Sequence, residues 1–491
     1  KNMFDFKKYL STLNNEPQWF KDKRIRAWEK FSALPTPNEN EEGWRLLDLD
    51  AVNLDNLQPV IASTARLSGI EDLKQFSTIC EQTKELMNNA AGILVESPNG
   101  IWVKLDEQLK QKGVIITTLA EALTEHADLI KPYLDRLLTQ NKELQSNELI
   151  SGEFSQTSQY ALLNQALCPS GMIVFVPKNV IIEKPFVCLH LLRHSTASLN
   201  CAGLLVVAAE HSQLSVVNVL TTDIANPHNS ANLAKQESNG NGSKNNGQLS
   251  LTNFLLEVFL GPGAVLNYAE IQNFDHNTFA ISHSFYSQER DSCLNSLVAA
   301  LGGGQVKSEI RNILKDRGAE SNLTGIVLGS NKERFNFNTI EDHIAPDTKS
   351  SIDFRVALKD EAQSIYHGNI QVSKTAQRTD AFQSNKNLLL GDEAHADSIP
   401  KLEILTDDVK CSHGATVGPV DRKQVFYLMS RGLDESQAEE LIVNGFFHQL
   451  LADCSIAGIA DWLDELVANK VHAGFKGSKI YAENKQPALT R

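Results

Sequence analysis

Cys411 and His413 carry the richest chemistry in the chain. They lie in "DDVKCSHGATVGPVD", residues 407 to 421. On an extended strand residues i and i+2 project to one side, so thiol and imidazole would sit together. The pair suits iron or zinc, yet two ligands do not complete a site, and the rest would have to come from another chain. A near-neutral imidazole serves equally as a proton carrier. The plainer alternative is a hydrogen-bonded interface histidine beside a cysteine packed as a small hydrophobe. Gly414, Ala415 and Thr416 follow, small enough for a second backbone to approach. A second cluster, Glu341, Asp342 and His343 in "IEDHIAPD", offers carboxylates of the kind that serve polysaccharide cleavage, or simply polar residues at a strand end. "LGGGQ" at 301 to 305 and "GFKGSK" near the end fit no GxxxxGK[ST] frame, so tight turns are expected there and no nucleotide hydrolysis by this chain.

These residues must be held by a chain of 491 residues, long enough for two or three domains. Its net charge of −14 gives non-specific nucleic-acid binding no electrostatic support. No apolar run reaches the roughly 18 residues of a spanning helix. "KNMFDFKKYL" has no apolar signal core, and Met3 is the expected natural start. Seven cysteines, at 80, 168, 188, 201, 293, 411 and 454, form no CxxC pair. A disulfide framework is therefore not expected, and a reduced, cytoplasmic protein that binds neither membrane nor nucleic acid is.

Three rhythms divide the chain. Residues 1–150 read as a helical domain, with Trp19, Phe20, Ile25, Trp28 and Phe31 at near-helical spacing and Leu119, Leu123 and His126 along a later stripe. Between them "PTPNENEEGWRLLDL" reads as a polar connector. Residues 151–420 are short alternating β segments ended by Gly, Asn, Asp or Pro. The Gly- and Asn-rich insert at about 235–248 has nothing to bury and is expected to be a mobile, dispensable loop. The absence of helical crossovers excludes a doubly wound sheet, and few tight hairpin signals occur over 290–420. A mainly β fold with a parallel β-helix core fits better than a sandwich. Residues 421–491 turn helical, with Asp421 as an N-cap, a capping box from Asp434 to Gln437, and a stripe of Ala438, Leu441 and Ile442. They are expected to form a compact C-terminal cap.

Four stretches, "LPTPNENEEGWRLLDL", "QSNKNLLLGDEAHADSIPKLEI", "DDVKCSHGATVGPVD" and "FYLMSRGLDESQAEELIVNGF", together resemble the SufB/SufD family of iron–sulfur cluster assembly proteins. The likeness runs from about Arg24 to Leu451 in family order and is weakest over the insert. It implies a right-handed parallel β-helix between helical terminal domains, in a complex with SufB and the ATPase SufC. In SufB a cysteine stands about where this chain has Asn385, and a His-Glu pair where it has His413-Gly414. Both differences remove ligand chemistry, because an amide is no soft thiolate and glycine has no side chain. The resemblance therefore implies a non-catalytic scaffold subunit that completes a site at the SufB interface. His413 would be a ligand there, shared with SufB, or a proton carrier, beside Cys411. It also implies a SufC docking surface on the C-terminal helices, from Phe426, Tyr427 and Arg431 to Phe446. The chain alone is expected to bind no cofactor, with an iron–sulfur cluster held transiently in the complex. Nothing in the sequence assigns a flavin. An isolated chain is expected to be able to form a homodimer through the surface given to SufB.

Overall fold

The computed structural model describes residues 5–134, 159–222 and 249–475, apart from 14–15, 39–40, 53, 62, 64, 170, 194–197, 453, 455 and 457. The insert at 235–248 and most of "GFKGSK" lie outside them. The described chain is mainly β. From Met172 onward successive strands fall alternately into two sheets, so each coil adds one strand to each sheet. One sheet runs from Met172–Val176 through Ser198–Ala208 to Gln363–Val372 and His395–Ile404. The other runs from Phe186–Leu192 through Gln213–Thr222 to Thr379–Leu389 and Val409–Pro419. Within this run every pairing is parallel and in unbroken register. This is the expected parallel β-helix.

Side-chain alternation explains why these segments stack. One parity faces the lumen, where Phe254, Leu266, Tyr268, Ile310, Phe337, Phe354 and Tyr366 share a single buried cluster. Identical residues also align along the coils. Asn295 Nδ2 donates to Asn267 Oδ1 at 2.9 Å, and Asn322 Nδ2 donates to Asn295 Oδ1 at 2.9 Å. "LGGGQ" is the expected tight turn. A Cβ on Gly302 would lie 2.4 Å from the Phe274 carbonyl oxygen, and one on Gly304 2.2 Å from that of His276.

The first 150 residues are less helical than expected. Gly92–Ser97, Gly100–Leu105 and Ile115–Thr118 are strands, and they complete the two sheets at the first coils. Two of the contacts they make there are antiparallel, which reverses the chain at that end of the solenoid. The stripe at Leu119 to His126 also breaks, since His126 separates the helices Leu119–Glu125 and Ala127–Leu134. The C-terminal helices Arg422–Ser430, Glu435–Leu451 and Ile459–Phe475 do not cap the last coil. Val443, Phe447, Leu463 and Val467 join an apolar cluster with Val217, Ile271, Leu297, Ile326 and Leu328 on the outer face of the second sheet.

The "EEGWRLLDL" connector is a pinned strap. Trp44 is fully buried. Lys307 Nζ donates to Gly43 O at 2.6 Å and stands 4.8 Å from the Trp44 ring centroid. Asn336 donates to Arg45 O at 3.1 Å and Arg334 to Leu46 O at 3.3 Å. Lys307 also pairs with Glu309 at 3.1 Å, itself 3.1 Å from His283. Burial opposes the charge on Glu309, but Lys307 and His283 outweigh it and bring the carboxyl down to about 2. Removing the cation would strand a buried carboxylate and free the strap. Lys307→Ala is expected to lower stability by about 3–5 kcal/mol, read from denaturant unfolding. A loss under about 1 kcal/mol would show that the cluster is dispensable.

Candidate functional site at the last coil

Val409–Pro419 is the last strand of its sheet and pairs only with Thr379–Leu389. Cys411 stands opposite Ala381 and His413 opposite Gln383, both buried lumen-facing positions. Cys411 and His413 therefore share a face, as expected, and it is the face that continues the lumen. No further coil among the described residues covers it. His413 is exposed, while Cys411 packs half-buried against Ile370, Val372, Ala376 and Ala381. Burial, aided by Asp380, holds the Cys411 thiol above its ordinary range, so in the isolated chain it is a poor thiolate ligand.

The rim of this mouth is apolar. Val417 is 47% exposed, Leu405 40% and Ile404 37%. A Cβ on Gly414 or Gly418 would meet nothing within 4 Å. The fold itself does not require these glycines, and they leave the backbone open to an approaching chain. Asn385, two positions along from Gln383 on the same face, is fully buried and accepts from Asn387 Nδ2 at 2.7 Å. Asn387 also donates to Thr416 O at 3.0 Å, which ties the last strand to the coil below. Among the described residues no three His, Cys, Asp or Glu side chains come together as a metal site.

The expected docking residues do not form one surface. Phe426 is 73% exposed and Tyr427 57%, with Arg431 stacked on the Tyr427 ring at 5.2 Å. Phe446 instead faces the solenoid. Its ring lies 5.5 Å from the Arg355 guanidinium, and Arg355 donates to its carbonyl at 2.6 Å. Phe446 thus anchors the helix rather than presenting it. Of the stripe Ala438, Leu441 and Ile442, Ala438 is buried and Ile442 packs against the core, but Leu441 is 51% exposed, and Val443 and Phe447 are buried instead. Leu441 and Met429 are exposed apolar positions that helical periodicity alone assigns to a core.

Glu341, Asp342 and His343 do not converge. Glu341 and His343 face the lumen, whereas Asp342 points outward and accepts from Arg311 Nε at 2.6 Å. Glu341 accepts from Asn312 Nδ2 at 2.8 Å and Ser321 Oγ at 3.2 Å. His343 bonds Thr348 at 2.8 Å and Ser350 at 2.9 Å. None of the three presents an accessible carboxylate pair for polysaccharide cleavage.

A parallel β-helix with helical flanks and a histidine-bearing last coil is an architecture open to several kinds of protein. Comparison with known proteins identifies which kind. Residues 190–446 match the family described as SUF system FeS cluster assembly, SufBD core domain, and residues 5–187 match the SufBD protein N-terminal region. The chain belongs to the SufB/SufD family of iron–sulfur cluster assembly proteins. It is 27% identical over 477 residues to the iron–sulfur cluster assembly protein SufD of Bacillus subtilis, covering 95% of this chain and 97% of that protein. With the SufB of the same organism it shares 23% over 445 residues, 89% of this chain and 86% of that one. A SufBD family protein of Staphylococcus haemolyticus is 22% identical over 448 residues. Identity and coverage both place the chain on the SufD side of the family.

Burial raises Glu341 from an ordinary 4.5 to about 8, against its bonds from Asn312 and Ser321. Folding therefore favours the protonated acid. The stability this contributes is complete below the unfolded value and is lost as pH rises through about 8. Glu341→Gln should keep the shape and remove that loss. Its Tm should gain on wild type at about pH 9 and differ little at about pH 5. Parallel pH profiles would show that Glu341 does not titrate in this window.

Proposed function

We propose that this chain is the accessory, non-catalytic subunit of a SufB–SufC–SufD assembly, joined through its last coil to the matching edge of a SufB subunit. One observation carries the proposal. Among the described residues Val409–Pro419 has an unpaired edge, an apolar rim and open glycines, and it presents His413 where no three His, Cys, Asp or Glu side chains gather. An exposed parallel edge of this length is a template for another chain's strand. In this reading the nascent iron–sulfur cluster is the cargo, His413 supplies one ligand or moves a proton, and the partner supplies the thiolate that Asn385 cannot. Cys411 serves mainly as packing beneath His413.

The apolar patch of Phe426, Tyr427 and Met429, with Leu441 on the next helix, is the proposed seat of the ATPase SufC. ATP-driven pairing of two SufC subunits would then move the two scaffolds and open the shared site. No helix among the described residues is long and apolar enough to cross a membrane. A cytoplasmic complex is the proposed setting. The same free edge supports self-pairing, so the isolated chain is proposed to form a homodimer that SufB displaces.

Two variants separate chemistry from docking. His413→Ala is expected to leave co-purification with SufB and SufC intact while lowering cluster formation in cells dependent on this system at least about tenfold. Unchanged cluster formation would leave His413 without a chemical role. Gly414→Leu is expected to keep the isolated chain's Tm within a few degrees, because its side chain has open space, yet to abolish association with SufB. Retained association would place the interface elsewhere.

A further inference from the structure

The lumen of this solenoid is not uniformly apolar. A line of polar side chains runs along its length. Near the first coils His190 Nδ1 lies 3.5 Å from Glu96. Further along, Asn218 Nδ2 donates to the Tyr268 hydroxyl at 3.1 Å, and that hydroxyl donates to Glu270 at 2.8 Å. Gln272 joins Glu270 at 2.7 Å to Ser282 at 3.1 Å. Tyr286, Asn312 and Glu341 then occupy one register position on three successive strands. Tyr286 meets the Tyr268 ring edge to face at 6.2 Å, and its hydroxyl feels both the Glu270 and the Glu341 carboxyls.

Toward the mouth, the Thr339 hydroxyl bonds the Tyr366 hydroxyl at 2.8 Å. Beyond it Gln383 lies across Gly368, where a Cβ would come within 2.1 Å of the Gln383 amide. Gln383 is the strand neighbour of His413. Along this line the buried Asn218 Oδ1, Asn312 Oδ1, Gln383 Oε1 and Ser398 Oγ have no hydrogen-bond partner among the described residues. Orphaned buried atoms are rare and costly. Several of them along one lumen call for internal water as their partner.

We propose that the lumen is a hydrated proton line, closed at the first coils and open at the last, connecting Glu270 and Glu341 to the mouth beside His413. The amides of Asn218, Gln272, Asn312 and Gln383 would hold water in place, and hydroxyls, carboxyls and water would pass the proton. At each hop one O–H bond breaks as the next forms. A carboxylate left behind at Glu341 is reprotonated from solvent through the mouth, so the line returns to its starting charge. Burial raises both carboxyls, Glu341 to about 8, so Glu341 keeps a transferable proton near neutral pH. The use of that proton at His413 rests on the function proposed above; the line itself does not.

The test uses the isolated full chain. Infrared difference spectra at about pH 6 should show the carbonyl stretch of protonated carboxylic acid, reduced in Glu341→Gln and again in Glu270→Gln. On transfer to D2O, the Glu341 band should shift at least about a hundredfold faster than the amides of Gln305–Leu314 and Arg334–His343 exchange. Thr339→Val with Tyr366→Phe, or Tyr366→Phe alone if the pair does not fold, should slow that shift about tenfold without changing amide exchange. Absence of the acid band, exchange as slow as the flanking amides, or no effect of blocking the mouth would each overturn the proposal. None of these outcomes depends on SufB, SufC or cluster assembly. A dry lumen would leave the proposed function standing, and an inert His413 would leave the line standing.

Discussion

Everything in this molecule follows from the parallel ladder. Each strand places its N–H and C=O groups on both edges, so each coil needs another coil above and below it. At the first coils the need is met from within the chain, by Gly92–Ser97, Gly100–Leu105 and Ile115–Thr118. At the last coil no described residue meets it, and Val409–Pro419 keeps one edge unpaired among the described residues. The outer faces are closed separately, one sheet by Gln18–Ala33, Gln159–Leu167 and the Trp44 strap, the other by the C-terminal helices. Covering the faces leaves the end as the one place where backbone, apolar rim and histidine are presented together.

The same ladder sets the chemistry of the site. Register puts Cys411 and His413 on the lumen side, and ending the solenoid there exposes only the second of them. Cys411 is drawn into a small apolar cluster that favours the thiol. His413 is left without a neighbour able to complete a metal site. The exposed histidine therefore stands at the end of the described solenoid. The chain resembles both SufD and SufB of Bacillus subtilis, two iron–sulfur cluster assembly proteins of one organism.

Much of the solenoid was legible because alternation and turn residues repeat in every coil, and local pattern is all that an ideal coil requires. The strands at Gly92–Ser97 and Gly100–Leu105 were not. They sit among helices; Gly92–Ser97 is settled by pairing with Phe186–Leu192, nearly a hundred residues away, and Gly100–Leu105 by its antiparallel pairing with Gly92–Ser97. Trp44 looked like part of a polar connector, although its ring is buried under Lys307. Helical periodicity put Leu441 in a core that only the docking angle of Glu435–Leu451 could define, and that angle turned it to solvent. Phe446 turns toward the solenoid for the same reason in reverse, since Arg355 lies on a strand far away in sequence.

By itself the sequence determined the β-helix rhythm, the capping of the C-terminal helices by Asp421 and Asp434, the pairing of Cys411 and His413 on one face, and the family. These are local or cumulative properties, carried by residue type at fixed spacing. Tertiary structure alone decided that the C-terminal helices cover a sheet face and leave the mouth open. It also decided that Glu341 and His343 point into the lumen while Asp342 points out, and that polar residues scattered from Glu96 to Gln383 form one interior line. Those outcomes depend on which distant coils come into register, and no stretch of sequence contains both partners of such a contact.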